Sequence, residues 1–153
     1  MLSVHVKTLS LGLLLAVGGL LLAGGQPPPV WSQDTPCTLA TPHGTYNFAY
    51  QGFLIQNDQQ MPIAYAGGET FDGEGHVQGH LTQSINGEIS RVTYSGMYTI
   101  TPACDITYTI TDSTGVTTHY DEFISPDGRE ITFIATDPGF VITGSERRVS
   151  TQR

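Results

Sequence analysis

Residues 76–100 read HVQGHLTQSINGEISRVTYSGMYTI, and this stretch determines the fold class. On both sides of Asn86-Gly87, apolar side chains recur at every second position. In the second half Tyr94 and Tyr98 share one face, while the residues on the other face are mostly polar. A period of two is typical of a β-strand with one buried face. Asn-Gly supplies the positive φ values of a tight hairpin turn, so this stretch predicts two antiparallel strands.

The same alternation continues on both sides of this hairpin. Runs rich in Thr, Tyr, Val, Ile and Phe are separated by short clusters of Gly, Pro, Asn and Asp. The predicted strands are the eight runs 45–55, 62–72, 76–85, 88–100, 106–111, 116–125, 129–137 and 140–148. Consecutive strands with hairpin turns protect their edges most simply by closing. We therefore predict an all-β, eight-stranded antiparallel up-and-down β-barrel, with an open β-sandwich as the alternative.

The N-terminal segment has the organisation of a secretory signal peptide. Lys7 supplies the positive charge, residues 9–25 are apolar, and residues 30–32, or alternatively 23–25, offer a cleavage site of small residues. The apolar run is short for an uncleaved membrane anchor. We expect export to a periplasm or to the cell exterior. The predicted organisation is a signal peptide at 1–32, a lead-in segment at 33–44, the barrel at 45–148 and a C-terminal tail at 149–153.

The predicted exported chain is strongly acidic. The full chain has a formal net charge of −8, and its single Lys lies in the signal peptide, so 14 acidic residues against five Arg give −9 after cleavage. Such a surface repels nucleic-acid phosphates and anionic lipid headgroups. We expect no nucleic-acid partner, no stable membrane insertion after cleavage and no cofactor. The sequence leaves the oligomeric state open.

The two cysteines, Cys37 and Cys104, are predicted to form a disulfide. Paired cysteines are the default in the oxidising compartment to which a signal peptide leads. Closing so long a loop stabilises the fold by roughly 4 kcal/mol in the chain-entropy model.

The histidines do not predict a metal site. His76 and His80 are four residues apart, which on a strand is about 13 Å, too far for one ion. His119 and Asp121 share a strand face and Glu122 follows them, but a polar outer face explains this cluster. No metal site is therefore predicted.

Aromatic residues and one glutamate on the predicted inward faces suggest a ligand pocket. Glu69 stands among apolar residues, where burial would raise its pKa and allow it to act as an acid or base. Glu122 and either Arg147 or Arg148 are its candidate partners. A filled aromatic core is the competing interpretation. The candidate pocket residues are Tyr46, Phe48, Tyr50, Tyr65, Glu69, Phe71, Tyr94, Tyr98, Tyr108 and Glu122.

A set of turn glycines, strand aromatics and both cysteines extends over almost the whole predicted exported chain. Its members are Cys37, 44–46, Gly52, 71–75, Gly79, 86–87, 96–98, 102–104 and 131–137. This set resembles a family of small exported bacterial proteins, which is similar to the calycin-like barrels of allene oxide cyclase and dirigent type. The resemblance implies a calycin-like barrel and carries over no catalytic residue.

Three functional interpretations follow. The favoured one is a non-enzymatic, exported barrel that binds a small apolar molecule in its interior. The second is an isomerase or cyclase of allene oxide cyclase type, with Glu69 or Glu122 positioning a reactive intermediate. The third is an eight-stranded outer-membrane barrel, which fits the strand count but not the short turns or the polar C-terminal residues 150–153.

Overall fold

The computed structural model describes residues 35–151, so the predicted signal peptide at 1–32 lies outside the described residues. The described chain is all-β and contains no helix, hence none that could cross a membrane. Its strands are β1 (Gly44–Gln56), β2 (Gln59–Phe71), β3 (His76–Ile85), β4 (Glu88–Ile100), β5 (Asp105–Asp112), β6 (Thr117–Ile124), β7 (Glu130–Ala135) and β8 (Phe140–Ser150).

The eight strands form a closed antiparallel barrel in sequence order. Each strand pairs with the next, and β8 closes the barrel by pairing with β1 from Thr45 opposite Ser150 to Leu54 opposite Phe140. The predicted barrel is confirmed, and the open sandwich alternative is wrong. Strand β8 ends two residues beyond the predicted limit of 148, because its last residues still pair with the beginning of β1.

The buried face of each strand is the face that the alternation predicts. In β4, Val92, Tyr94 and Tyr98 are buried while their immediate neighbours are exposed. Strand β6 alternates without exception, with Tyr120 and Glu122 on the buried side. Each large apolar side chain buried in this way contributes about 1.5–3 kcal/mol to folding. The apolar faces of all eight strands therefore meet in one interior.

Two strand glycines allow neighbouring strands to approach more closely than any side chain would permit. A Cβ atom on Gly52 would lie 2.0 Å from the carbonyl oxygen of Val141, and one on Gly96 would lie 2.0 Å from that of Thr109. Glycine at such positions permits the coiling that a small closed barrel needs.

One end of the barrel is covered by the segment that precedes β1. We call it the plugged end, because residues 35–43 lie against its loops. The predicted disulfide between Cys37 and Cys104 is confirmed and ties this segment to the β4–β5 loop. The Cys37 N–H also donates to the carbonyl oxygen of Pro102 at 3.2 Å. Pro42, near the end of the segment, is fully buried.

Side chains from the barrel hold the same segment at two further points. The Tyr98 hydroxyl donates to the carbonyl oxygen of Leu39 at 2.8 Å, and the Arg148 guanidinium donates to that of Thr41. The opposite end, which we call the hairpin end, carries the β1–β2, β3–β4, β5–β6 and β7–β8 turns. No segment of residues 35–151 covers it in the way that residues 35–43 cover the plugged end.

Candidate functional site

Three glutamates from three different strands point into the barrel and form what we call the carboxyl cluster. Glu69 lies on β2, Glu122 on β6 and Glu146 on β8, and their exposed fractions are 3%, 1% and 6%. The alternation along each strand places these glutamates on the inward face. Glu146, for example, shares the inward face of β8 with Ile142. Charged residues are almost never fully buried without a partner, so this cluster is the most unusual feature of the core.

Only one glutamate of the cluster has strong hydrogen-bond partners. The hydroxyls of Tyr94 and Tyr108 both donate to Glu69 Oε2, at 2.7 and 2.6 Å. Glu69 Oε1, Glu122 Oε2 and Glu146 Oε2 are buried and have no partner in hydrogen-bonding geometry. A buried polar atom left without a partner costs about 1–3 kcal/mol. The fold tolerates three such atoms at one place.

Burial determines the protonation of the cluster. Loss of hydration raises the pKa of all three carboxyls. Glu146, Tyr108 and Tyr94 oppose the rise at Glu69 through their interactions with its carboxyl. The charge of Glu69 raises the pKa of Glu122 and Glu146 further, so both lie well above their ordinary value. Glu69 is therefore the member that ionises first, and the other two are held neutral.

The phenols around the cluster remain protonated at neutral pH. Burial is the main cause that raises the pKa of Tyr50, Tyr94 and Tyr108. It raises the pKa of Tyr120 and of Tyr46 to about 12. The cluster is thus surrounded by hydroxyl groups that can donate hydrogen bonds.

The cavity at the carboxyl cluster is small. Its volume is about 20 Å³, enough for one water molecule. Its lining consists of Phe48, Tyr50, Glu69, Leu81, Tyr94, Tyr108, Ile110, Tyr120, Glu122, Phe133 and Glu146. Larger hollows, of about 530 to 750 Å³, are open depressions of the surface. Aromatic and aliphatic side chains therefore fill most of the interior.

The predicted pocket residues all face the interior, but at three levels. Six of them line the central cavity, namely Phe48, Tyr50, Glu69, Tyr94, Tyr108 and Glu122. Tyr46, Phe71 and Tyr98 pack at the plugged end and do not line the cavity. Tyr65 is partly exposed, and its ring stacks on that of Tyr50 with centroids 4.7 Å apart. Burial, and after it the charge of Asp112 at the end of β5, raises the pKa of Tyr65.

Of the candidate partners of Glu69, Glu122 lies in the carboxyl cluster, whereas Arg147 and Arg148 contact other groups. Arg147 points outward and contacts Glu130 at 3.0 Å. Arg148 donates from Nε to the Tyr46 hydroxyl at 3.0 Å. The partner that the sequence interpretation missed is Glu146, although it stands at an inward position of β8.

His76, His80 and His119 lie on the outer face, as the sequence predicts. His76 pairs with Asp72 and His119 with Asp137, each at 2.9 Å. Within residues 35–151, no group of three or more His, Cys, Asp and Glu side chains has the geometry to hold a metal ion.

Fold and site together define a closed eight-stranded barrel with a buried carboxyl cluster. Neither a protein-family model nor a curated protein matches the sequence. Among solved structures, the chain is similar to a de novo designed fluorescence-activating β-barrel, with a TM-score of 0.52 and 15% identity over 73% of this chain and 98% of that chain. This similarity shows the fold alone. The resemblance to calycin-like barrels of allene oxide cyclase and dirigent type stays a prediction.

Proposed function

We propose that the protein is an exported, non-enzymatic barrel that binds a small, mostly apolar molecule in its interior. The observation that carries this proposal is the set of unpartnered carboxyl oxygens around a cavity with mostly aromatic and aliphatic walls. Small-molecule sites commonly combine apolar walls with a few polar groups that orient the ligand. The disulfide and the acidic composition are consistent with export.

Access to the site is proposed to run through the hairpin end, because residues 35–43 cover the other end. A cavity of about 20 Å³ is too small for a ligand, so side chains must move when one enters. The stacked rings of Tyr50 and Tyr65 are the proposed gate. Tyr65 is partly exposed and its hydroxyl makes no hydrogen bond among the described residues, whereas Tyr50 also packs edge-on against Phe133 at 5.2 Å. Rotation of the Tyr65 ring is therefore the first step of opening.

Native mass spectrometry of the purified protein with fatty acids, terpenoids and phenolics tests this proposal. We expect a one-to-one complex that Ile110→Trp abolishes, because Ile110 lines the cavity. The matched control is Val141→Trp, since Val141 is 54% exposed on the outer face. Circular dichroism would verify that both variants fold. A wild-type protein that stays empty with every ligand class would refute the binding function.

The second candidate, an isomerase or cyclase of allene oxide cyclase type, is favoured by the protonation of the cluster. A neutral carboxyl held in an apolar site is a proton donor at neutral pH, as general acid catalysis requires. Glu122 has this character, and Glu69 can position a reactive group through its two phenol partners. Unchanged turnover of a substrate by the double variant Glu69→Gln/Glu122→Gln would eliminate this candidate.

The orientation of the side chains disfavours the outer-membrane alternative. Such a barrel carries an apolar band on its outside and polar residues inside. In β3 the apolar Val77 and Leu81 point inward, while His76, Gln78 and His80 point outward. Release of the protein without detergent would support this argument, and a requirement for detergent would contradict it.

A further inference from the structure

We infer that the polar end of the ligand is a protonated primary amine, which the carboxyl cluster of Glu69, Glu122 and Glu146 binds. This inference rests on the proposed function and specifies the chemical class of its ligand. It predicts a molecule with an ammonium group at one end and an apolar body.

The number and type of unsatisfied atoms support an ammonium group. Glu69 Oε1, Glu122 Oε2 and Glu146 Oε2 are three buried oxygens to which no described group outside the carboxyl cluster donates. The nearby donors Tyr94 and Tyr108 are both engaged by Glu69 Oε2. An ammonium group carries three N–H donors and no acceptor, so it complements this set of oxygens.

The cavity suits such a group in size and in its walls. A volume of about 20 Å³ holds one non-hydrogen atom with its hydrogens, as an ammonium head would require. The rings of Tyr50 and Tyr120 line the same cavity, and aromatic faces attract cations. Leu81 and Ile110 offer an apolar wall for the body of the ligand.

No cation of the described chain occupies this place. Residues 33–153 contain no Lys, and no arginine among residues 35–151 lines the cavity. Arg147 contacts Glu130 on the outside, and Arg148 binds Tyr46 and Thr41 at the plugged end. The net charge of −9 also raises the local concentration of organic cations, because a field of one sign attracts counter-ions.

Binding of the amine requires one ionised carboxyl in the cluster. Glu69 is the member that ionises first, because its charge raises the pKa of Glu122 and Glu146 further. An alkylammonium ion that enters pairs with the Glu69 carboxylate, and a proton passes to solvent when Glu69 was still protonated before binding. Primary alkylamines stay protonated below pH 9, as lysine does. Affinity should therefore rise with pH, up to tenfold per pH unit, until the carboxyl ionises by itself.

The other titratable groups that face the cluster do not change charge over this range. They are phenols whose pKa burial raises, on β1, β4, β5 and β6, while the inward residues of β3 and β7 do not titrate. These phenols are Tyr46, Tyr50, Tyr94, Tyr108 and Tyr120. A pH dependence between pH 6 and 8 would consequently report on the carboxyls.

The test is isothermal titration of the purified protein with n-octylamine and with 1-octanol, which has the same chain length but no charge. We expect octylamine to bind at least tenfold more tightly at pH 7, with proton release detected as a dependence of the heat on the buffer. Glu122→Gln and Glu146→Gln should each weaken octylamine at least tenfold and leave octanol unchanged. Glu88→Gln, which replaces an exposed glutamate, should change neither.

The outcomes separate this inference from the proposed function. Equal affinity for octanol and octylamine would overturn the inference and support an apolar ligand. Octylamine binding that changes neither with pH nor in either cluster variant would also overturn the inference. Such binding would indicate that octylamine attaches to the acidic surface. Failure of both probes would count against binding in the interior, and thus against both claims. If a glutamine variant does not fold, the pH dependence of octylamine binding to the wild-type protein decides whether the inference holds.

Discussion

Replacing Glu122 by glutamine should stabilise the protein at neutral pH, although the residue is 1% exposed in the core. In the folded state burial raises the pKa of Glu122 well above its ordinary value, so the carboxyl keeps its proton. In the unfolded chain the same carboxyl ionises near pH 4.3. The folded state therefore binds more protons, and stability falls as pH rises. The contribution is fully present below about pH 4 and declines until the pH passes the folded-state pKa.

The magnitude follows from linkage. Each carboxyl that is neutral when folded and ionised when unfolded lowers stability by about 1.4 kcal/mol per pH unit. Glu122 and Glu146 each contribute such a loss over the pH range in which the folded carboxyl stays protonated and the unfolded one is ionised. Glutamine has nearly the same shape and does not titrate. Glu122→Gln should therefore gain on the wild type by about 1.4 kcal/mol for each pH unit of that range.

Urea denaturation at pH 5, 6, 7 and 8, followed by circular dichroism, measures this effect. Comparing the variant with the wild type at two pH values cancels the constant cost of burying an amide. Aspartates whose pKa is lowered in the folded state make stability rise with pH. Their contribution to stability is lost only below about pH 5, so it is constant over the range measured. These aspartates are Asp72, Asp112, Asp127 and Asp137. A wild-type stability that is flat or rising from pH 5 to 7, or an unchanged slope in Glu122→Gln, would refute the reasoning.

Three further predictions concern the scaffold and use the same denaturation assay. Reduction of the Cys37–Cys104 disulfide should lower the free energy of unfolding by roughly 4 kcal/mol, and a loss below 1 kcal/mol would contradict the loop-closure argument. Gly96→Ala should cost about 1–3 kcal/mol because its Cβ meets a carbonyl oxygen, and a neutral effect would show that the strands can separate there. Phe71→Ala should cost about 3–5 kcal/mol, against about 0.5 kcal/mol for the half-exposed Phe123→Ala; similar costs would disprove the assigned burial.

The fold was predictable because its signals are local. A strand with one buried face repeats every two residues, and Asn86-Gly87 marks a hairpin without reference to the rest of the chain. The inward position of Glu69 followed from the same period. The partners of Glu69 did not follow, since a partner on another strand depends on the register between strands. Glu146 shows this limit, because the period of two puts it on the same face as Ile142 but does not tell that this face meets Glu69 across the interior.

The amino-acid sequence alone determined the strands, the side of each strand that is buried, and the pair of cysteines that are joined. These properties depend on neighbours along the chain and on the count of cysteines. Only the tertiary structure decided that the interior is nearly full and that Glu69, Glu122 and Glu146 meet there without a cation. The physical reason is that barrel closure brings β2, β6 and β8 together across the interior. Distances across a closed barrel are not encoded in the period of any single strand.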